Sequence, residues 1–526
     1  MRYLYFDTAP IWDIIRRPGR FARKYCVFFF DYLSIIVKFA VQIGIRAMES
    51  LKEKTANGLL WGGISNGGQQ LLGLVFGIIL GRLLSPDDYG MIAMISVFSL
   101  VANELQNSGF KTALANIPNP TDRDYNSVFW FNILMGVMLY TLLFFSAPLI
   151  ARFYGVPELV PLCRYAFLGF VIAGLGTVQS AWLFKNLKAK QQAKSGLAAV
   201  LISSGVGVAL AFGGFSYWAL ATQSIVFISI HTSLQWHYSP WRPSLHVDFG
   251  PVRGMFRFSC KLLLSNIITH INTNVLNILL GLHFSKRDVG YYNQAYQWNS
   301  KCFYTLQGMV QTVAQPIFVE LKDNGDRQLA ALRKLMRVTA FISFPMLFGF
   351  GLVAHEFIVI TITDKWEASA VLIKILCIGG AFMPLSTLLS NLVVSKGHSG
   401  TYMMCNVCLG LLQIVLMTVF YRYGIHTMVT VYVVLNTLWV FVWHHFVRRF
   451  TGYGFGMILA DIMPFALSAL AVMAATHCIT AAIGDLRLLM GVRIVTAAAL
   501  YYVVMRFVSR STLDECMLFV KSKIRK

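Results

Sequence analysis

Apolar segments long enough to cross a membrane recur along nearly the whole chain. A helix needs about 20 apolar residues to cross the roughly 30 Å hydrocarbon core of a bilayer. By this criterion the sequence predicts fourteen transmembrane helices, near residues 57–84, 89–110, 125–152, 158–182, 196–214, 216–236, 258–282, 289–317, 335–360, 369–394, 401–421, 425–446, 455–480 and 488–508. We therefore expect an all-α polytopic membrane protein.

A sequence motif near the end of the first predicted helix occurs twice, 200 residues apart. Residues 80–90 reappear as residues 280–290, and nine of the 26 positions in residues 65–90 are identical in the copy without a gap. A second stretch of identities, at residues 162–180, repeats at an offset of 210. Six predicted helices separate the copies, so both cross the membrane in the same direction. The pattern is typical of parallel repeats related by an axis along the membrane normal.

Each copy of the motif contains a serine followed three residues later by an aspartate. Ser85 and Ser285 are predicted N-caps, which places Asp88 and Asp288 in the first turn of the following helix. The glycines at positions 90 and 290 are expected to permit close helix packing. We interpret the motif as architecture first, with a gating role for the two aspartates as a further hypothesis.

The duplication predicts two lobes of six helices, related as parallel repeats. An Arg-rich start and an apolar stretch interrupted by charges favour an amphipathic N-terminal helix lying on the inner leaflet. The expected parts are a basic cytoplasmic extension, an N-lobe, a cytoplasmic linker, a C-lobe, and two appended helices with a basic cytoplasmic tail, at residues 1–56, 57–236, 237–257, 258–446 and 447–526 respectively.

The distribution of Lys and Arg along the chain explains its strong net positive charge. The chain carries a formal net charge of +22, although 56% of its residues are apolar and only 13% are charged. With the N-terminus inside, 34 of the 45 Lys and Arg residues fall in predicted cytoplasmic stretches or at the adjoining ends of the spans, as the positive-inside rule requires. The basicity is therefore topological: we expect both termini in the cytoplasm and no nucleic-acid partner.

The loops and cysteines argue against an enzyme or a metalloprotein. The predicted external loops are all too short to form a catalytic domain. The nine cysteines lie mostly within spans, and the pair Cys405 and Cys408 has no accompanying His cluster or second pair. We therefore expect no enzymatic activity, no metal and no cofactor.

Polar side chains follow one face of several predicted helices. In the span at 258–282 they are separated by 4, 4 and 3 residues, which places them within an arc of about 80°. Because polar groups in a span are costly, such stripes normally face a cavity or a protein interior. We expect a hydrophilic cavity suited to hydroxyl-rich cargo; interhelical hydrogen bonding is the alternative. The stripes comprise Asn266, His270, Asn274 and Asn277; Asn293, Gln297, Lys301, Tyr304, Gln311 and Gln315; and Asn66 and Gln70, the repeat partners of residues 266 and 270.

Charged side chains inside predicted spans are candidates for binding and coupling. Lys301 lies at mid-span, and Arg164 and Lys374 occupy equivalent places in the two repeats, with no carboxylate within four residues of any of them. A cation facing a shared cavity could hold a phosphate, whereas snorkelling to the interface is the alternative. Glu104 could carry a coupling proton, or it could pair with Lys111 or with the opposite lobe.

With these motifs the chain resembles the Wzx-type polysaccharide (O-antigen/exopolysaccharide) flippase family of the multidrug/oligosaccharidyl-lipid/polysaccharide exporter superfamily. The resemblance rests on residues 59–66 (LLWGGISN) and 80–90 (LGRLLSPDDYG), and it extends from about residue 50 to the C-terminus. It implies an alternating-access flippase for undecaprenyl-pyrophosphate-linked oligosaccharide in a bacterial inner membrane, feeding O-antigen, capsule or exopolysaccharide assembly. The implied partners are the lipid-linked oligosaccharide, membrane lipids, and the polysaccharide polymerase and chain-length machinery.

Three alternative functions remain open at this stage. A lipid II flippase would share the fold and a basic cavity. A drug or cation antiporter of the same superfamily should have carboxylates in its cavity, where this chain offers Lys301 and amides. A membrane glycan polymerase or ligase would need a sizeable external loop with catalytic residues, and the sequence predicts none.

Overall fold

The computed structural model describes residues 49–107, 114, 117, 120–245, 248–250, 267, 272 and 274–524. Over these residues the chain is helical and contains no β-strand, which confirms the all-α fold class. The helices in chain order are α1 (Glu49–Leu83), α2 (Pro86–Asn107), α3 (Asp122–Tyr154), α4 (Leu159–Ala166), α5 (Leu168–Lys185), α6 (Ala189–Phe212), α7 (Tyr217–Tyr238), α8 (Asn274–His283), α9 (Lys286–Glu320), α10 (Gly325–Leu352), α11 (Ala354–Ile362), α12 (Glu367–Ser395), α13 (Ser399–Phe420), α14 (Ile425–Thr451), α15 (Phe455–Thr480), α16 (Leu486–Val508) and α17 (Arg510–Ile524).

Ten helical stretches within the described residues are long and apolar enough to cross a membrane. Helices α2, α7 and α9 are not among them, although each has at least 22 residues. In α9 the reason is the polar stripe, which lowers the mean hydropathy of the helix. The predicted span at 258–282 is described without a break only from residue 274 onward. The number of fourteen spans therefore stays a prediction.

Two of the predicted single spans each consist of two consecutive helices. Residues 158–182 fall on α4 and α5, which are separated at Phe167, and residues 335–360 fall on α10 and α11, which are separated at Val353. Neither break occurs at a proline or a glycine, so the apolar pattern runs through both. Residues Leu159–Lys185 still form one candidate span, in agreement with the prediction at 158–182. At 335–360 the prediction of one continuous helix was wrong, because that span ends at Leu352 and a separate short helix, α11, follows it.

The first half of the structure (residues 49–245) meets the second half (residues 274–451) where α2 crosses α9. A Cβ atom on Gly90 would lie 1.7 Å from the carbonyl oxygen of Lys286, and one on Gly290 would lie 1.8 Å from the carbonyl oxygen of Pro86. The two backbones are thus in direct contact, and only glycine fits at either position. This confirms the close packing that was predicted from the motif.

The serine and aspartate of each motif copy form a reciprocal capping box. Ser85 Oγ accepts from the Asp88 backbone N–H at 3.3 Å, and the Asp88 carboxylate accepts from the Ser85 backbone N–H at 2.8 Å. The corresponding distances for Ser285 and Asp288 are 3.2 and 3.3 Å. Both predicted N-caps are therefore confirmed, and each satisfies backbone donors at the start of a helix. We call this end of the bundle the motif end.

The segment that follows α7 is held against the start of α3. Trp130 Nε1 donates to the carbonyl oxygen of Ser244 at 2.8 Å, and the Ser244 backbone N–H donates to Asn126 Oδ1 at 2.9 Å. Arg123 forms an ion pair with Asp248. The described part of the predicted linker is therefore attached to the first half of the structure.

Helices α15 and α16 join the second half through buried charges. Asp461 of α15, which is 1% exposed, accepts two hydrogen bonds from Arg333 of α10 at 2.9 and 3.1 Å. Arg493 of α16 forms an ion pair with Glu356 of α11 at 2.5 Å, and both side chains are buried. Removing one partner of such a pair leaves an uncompensated buried charge, which costs about 3–5 kcal/mol.

Candidate functional site

A cavity of about 320 Å³ lies between α1 of the first half and α9 of the second half. Each α9 residue that lines it has another lining residue three or four positions away, so they share one face of the helix. Gln70 faces them from α1. The predicted residues Gln70, Gln297 and Lys301 are thus brought together. The lining residues are Gln70, Gln297, Ser300, Lys301, Tyr304 and Thr305.

The ammonium group of Lys301 is the charged group of this cavity. Its nitrogen lies 4.3 Å from the centre of the Trp298 ring, a cation–π contact that contributes about 1–2 kcal/mol when it is shielded from water. No ion pair of Lys301 occurs in the part of the chain that the structure describes. Because a ring face satisfies charge without accepting conventional hydrogen bonds, the ammonium donors are available for an anionic ligand.

Amide and hydroxyl groups surround this cation. Gln297 Nε2 donates to Asn293 Oδ1 at 2.6 Å, so Asn293 orients a glutamine that lines the cavity. The hydroxyl groups of Tyr304 and Tyr296 are 3.3 Å apart. Such groups can exchange hydrogen bonds with the hydroxyls of a sugar. Cation, amides and a half-exposed aromatic ring together suit a ligand that combines negative charge with hydroxyl groups.

Several predicted site residues lie away from this cavity. Arg164 stacks its guanidinium group on the ring of Phe144, at 4.3 Å, and Lys374 is exposed on α12. The structure therefore does not bring these two cations to Lys301. Asn66 on α1 and Gln311 on α9 are exposed and do not contribute to the lining described above.

The asparagines of α8 are buried and do not line the cavity. Asn277 Nδ2 donates to Asn274 Oδ1 at 3.5 Å, and Asn277 Oδ1 is buried without a hydrogen-bond partner among the described residues. Asn266 and His270, predicted on the same stripe, lie outside the described residues. Whether that stripe reaches a cavity stays a prediction.

The predicted coupling and gating residues lie on α2 and at the motif end. Glu104 is half-buried on α2. Asp88 is 7% exposed and also accepts a hydrogen bond from Ser216, whereas Asp288 is half-buried. These positions are compatible with gating by Asp88, and the roles of all three acids stay predictions.

Side chains and backbone carbonyls of the two halves bond directly at the motif end. The Arg82 guanidinium group donates to the carbonyl oxygens of Ile360 and Thr361, at 2.7 and 2.6 Å. Lys365 and Trp366 donate in the other direction, to carbonyl oxygens at the end of α1, at 2.6 and 2.7 Å. We call this set of four hydrogen bonds the clasp. The sequence reasoning missed it, although Arg82 stands where the second motif copy has a different residue.

A family model and several known proteins are similar to this chain in sequence. A family model described as "Polysaccharide biosynthesis protein" matches residues 79–371. The teichuronic acid biosynthesis protein TuaB of Bacillus subtilis (strain 168) is 26% identical over 354 residues, covering 67% of this chain and 73% of TuaB. The lipopolysaccharide biosynthesis protein WzxC of Escherichia coli (strain K12) is 25% identical over 355 residues, covering 66% of this chain and 71% of WzxC. The succinoglycan biosynthesis transport protein ExoT of Rhizobium meliloti (strain 1021) is 24% identical over 333 residues, with coverages of 63% and 67%.

Two solved structures share the fold. The lipid II flippase MurJ, in an inward closed conformation, superimposes with a TM-score of 0.69 at 14% identity, covering 86% of this chain and 100% of MurJ. A multidrug resistance MATE family transporter of the MOP superfamily, in an inward-facing conformation, gives a TM-score of 0.59 at 15% identity, with coverages of 73% and 95%. The fold is therefore the one these membrane transporters use.

Proposed function

The chain belongs to the polysaccharide biosynthesis protein family, and on that basis we propose that it transports undecaprenyl-pyrophosphate-linked oligosaccharide across a bacterial inner membrane. The cargo would move from the cytoplasmic to the periplasmic leaflet, for the biosynthesis of O-antigen, capsule or exopolysaccharide. The observation that carries the proposal is the cavity between the two halves, in which Lys301 stands among amide and hydroxyl groups.

Each part of the cargo has a matching group in or around this cavity. The Lys301 ammonium would hold the pyrophosphate as a point charge. Gln70, Gln297 and Tyr304 would hydrogen-bond the sugars nearest the phosphate. The lipid tail would stay in the bilayer, since the faces of α1 and α3 expose apolar side chains such as Val75.

The transport cycle we propose is alternating access between two lobes, at residues 57–236 and 258–446. The positive-inside distribution of Lys and Arg supports cytoplasmic termini and a motif end that faces the periplasm. In that orientation the clasp closes the periplasmic side, and the cargo would reach the cavity from the cytoplasmic side. The polysaccharide polymerase and chain-length machinery are the partners we propose for the exported product.

The geometry favours this cargo over that of a drug or cation antiporter. A site for organic cations needs carboxylates, and the described lining residues of the cavity carry a lysine and no acid. A lipid II flippase remains the second candidate, because MurJ has the same fold and its named cargo is also a lipid-linked glycan precursor. Polymerisation or ligation is disfavoured because the connections between described helices at the motif end are short.

Deletion of the gene tests the proposed function directly. We expect lipid-linked oligosaccharide to accumulate in the cytoplasmic leaflet, with loss of the exported polysaccharide. A glycan-cleaving enzyme added to spheroplasts reaches only the periplasmic leaflet. The fraction of lipid-linked oligosaccharide that it leaves uncleaved therefore measures the amount in the cytoplasmic leaflet. Normal export in the deletion strain would refute the proposal, and accumulation of lipid II instead would favour the second candidate.

Substitution of the cavity lysine tests how the cargo is held. Lys301→Ala should lower export by about tenfold or more, because one charge-assisted contact to phosphate is lost, while Lys301→Arg should retain a large part of the activity. Arg506→Ala, which removes an exposed charge from α16, is the matched control and should export normally. Wild-type export by a stably inserted Lys301→Ala protein would remove the phosphate role of this lysine.

A further inference from the structure

The ring of Trp298 separates the cavity from the short helix α11. One face of the ring lies 4.3 Å from the Lys301 ammonium nitrogen. The ring also meets Phe357 of α11 edge to face, with centroids 5.0 Å apart and planes at 80°. Trp298 is 5% exposed, and its Nε1 is buried without a hydrogen-bond partner among the described residues. Packing and the nearby cation, rather than a hydrogen bond, therefore hold the ring in place.

Helix α11 carries two of the four acceptors of the clasp. Phe357 lies one turn before Ile360 and Thr361, whose carbonyl oxygens receive the hydrogen bonds from Arg82. A displacement of Phe357 by the ring of Trp298 would consequently move the two clasp acceptors with it, because all three belong to one helix of nine residues.

Glu356, the residue before Phe357, anchors α11, and the helical run is interrupted at both ends of α11. The buried ion pair between Glu356 and Arg493 ties the helix to α16. At the N-terminal end, Val353 interrupts the helical run from α10. At the C-terminal end, Thr363 has φ +80° and ψ 168°, a positive-φ conformation that is strained for a β-branched residue. Strain of this kind stores energy at a place where the backbone can change direction.

We propose that Trp298 is a positioning residue that holds the Lys301 ammonium in the cavity and relays the arrival of an anionic ligand there, through Phe357 and α11, to the clasp. The inference rests on the proposed function in one respect, that Lys301 binds phosphate oxygens. Phosphate attracts an ammonium more strongly than a ring face does, so a bound phosphate draws the ammonium away from Trp298. The ring then loses a contact, α11 shifts about its anchor at Glu356, and the hydrogen bonds from Arg82 weaken.

The states with and without ligand must differ in their contacts for such a relay to operate. In the structure the ammonium, the Trp298 ring and Phe357 are in contact in series. With ligand bound, the first contact is exchanged for a phosphate contact. Trp298→Leu removes the ring and should uncouple phosphate binding at Lys301 from the weakening of the clasp. Trp298→Phe keeps an aromatic face and should preserve this coupling in weaker form.

Hydrogen exchange on the full-length protein in lipid nanodiscs tests the relay, with inorganic pyrophosphate as the probe. Pyrophosphate should accelerate amide exchange in residues 354–366 of the wild type by about threefold or more, as local opening becomes easier. At saturating pyrophosphate, Trp298→Leu and Phe357→Ala should bind the probe by calorimetry and show no acceleration. Trp443→Leu, which removes another buried tryptophan away from Lys301, is the control and should respond like the wild type.

The possible outcomes separate the relay from the function on which it rests. An undiminished acceleration in Trp298→Leu overturns the relay and leaves the proposed function intact. Wild-type binding of pyrophosphate by Lys301→Met, or no binding by the wild type, overturns the phosphate role itself. If pyrophosphate failed to accelerate exchange in Trp443→Leu as well as in Trp298→Leu, the loss of any buried tryptophan would abolish the acceleration. This result too would contradict a specific relay through Trp298.

Discussion

At residue 82 the first copy of the duplicated motif carries arginine, and at the equivalent residue 282 the second copy carries leucine. Arg82 crosses to the other half of the protein and donates two hydrogen bonds to α11, whereas the Leu282 side chain is 40% exposed. Both copies nevertheless build the same capping box and contribute a glycine to the same crossing. The shared residues therefore form the frame, and a divergent residue joins the two halves.

The helices that follow the two motif copies differ in the same way. Lys301 of α9 aligns with Val101 of α2, so only the second copy places a cation in the cavity. The first copy supplies the donor of the clasp, and the second supplies the cavity lysine. This comparison teaches that duplication produced two similar supports, and that two residues by which the copies differ, Arg82 and Lys301, supply the clasp donor and the cavity cation.

The strongest test of the shared frame is at the glycine crossing. Gly290→Ala should nearly abolish export, because its Cβ atom would lie 1.8 Å from the Pro86 carbonyl oxygen and the two helices could no longer meet. Gly308→Ala, in the same helix α9, has no atom within 4 Å of the added Cβ and is the matched control. Export is measured together with protein abundance in the membrane. Equal export by the two variants would contradict a required contact at this crossing.

Replacing Arg82 by the leucine found at the equivalent position of the second copy tests the role of Arg82 in the clasp. Arg82→Leu removes two hydrogen bonds from an exposed guanidinium group, and we expect a loss of about 1–2 kcal/mol in clasp stability, which corresponds to about a tenfold rise in the open population. Hydrogen exchange of the amides in residues 360–366 measures this rise. Leu282→Ala, at the equivalent position of the second copy, should leave the exchange rates unchanged. A similar acceleration in both variants would remove the asymmetry between the copies.

The smallest expected effect concerns the two caps. Ser285→Ala should lower the free energy of unfolding by about 1 kcal/mol, the usual contribution of an N-cap. Ser85→Ala should cost more, since its partner Asp88 is 7% exposed: this buried carboxylate would lose the hydrogen bond from Ser85 Oγ at 2.7 Å and keep those from the residue 85 backbone N–H and from Ser216. Unfolding of the purified variants in the same detergent measures both. Equal losses of unfolding free energy in the two variants would indicate that the burial of Asp88 does not increase the contribution of its N-cap.

Much of the frame could be predicted because it depends on local pattern. The apolar segments and the duplicated motif were sufficient to predict the helices, the caps at Ser85 and Ser285, and the close approach of the two glycines. The grouping of Gln297 with Lys301 could likewise be predicted, since residues four apart on one helix share a face. Gln70 was found through its place in the repeat.

The features that escaped prediction depend on tertiary contacts. Repeat equivalence paired Arg164 with Lys374, but it does not determine which surface a side chain meets, and Arg164 stacks on Phe144 instead. The clasp uses backbone carbonyls as acceptors, which every residue possesses, so no sequence pattern distinguishes them. The break at Val353 interrupts an apolar run without altering its composition.

The ion pair between Glu356 and Arg493 also has a consequence for how the protein is made. Its two residues are 137 positions apart, so at roughly 5–20 residues per second a ribosome needs roughly 7–27 seconds between them. During that interval Glu356 has been synthesised and its arginine partner has not. The bracing of α11 is therefore one of the last steps of biogenesis, and a chain that ends before α16 keeps a lone acid where a finished chain has a neutral pair.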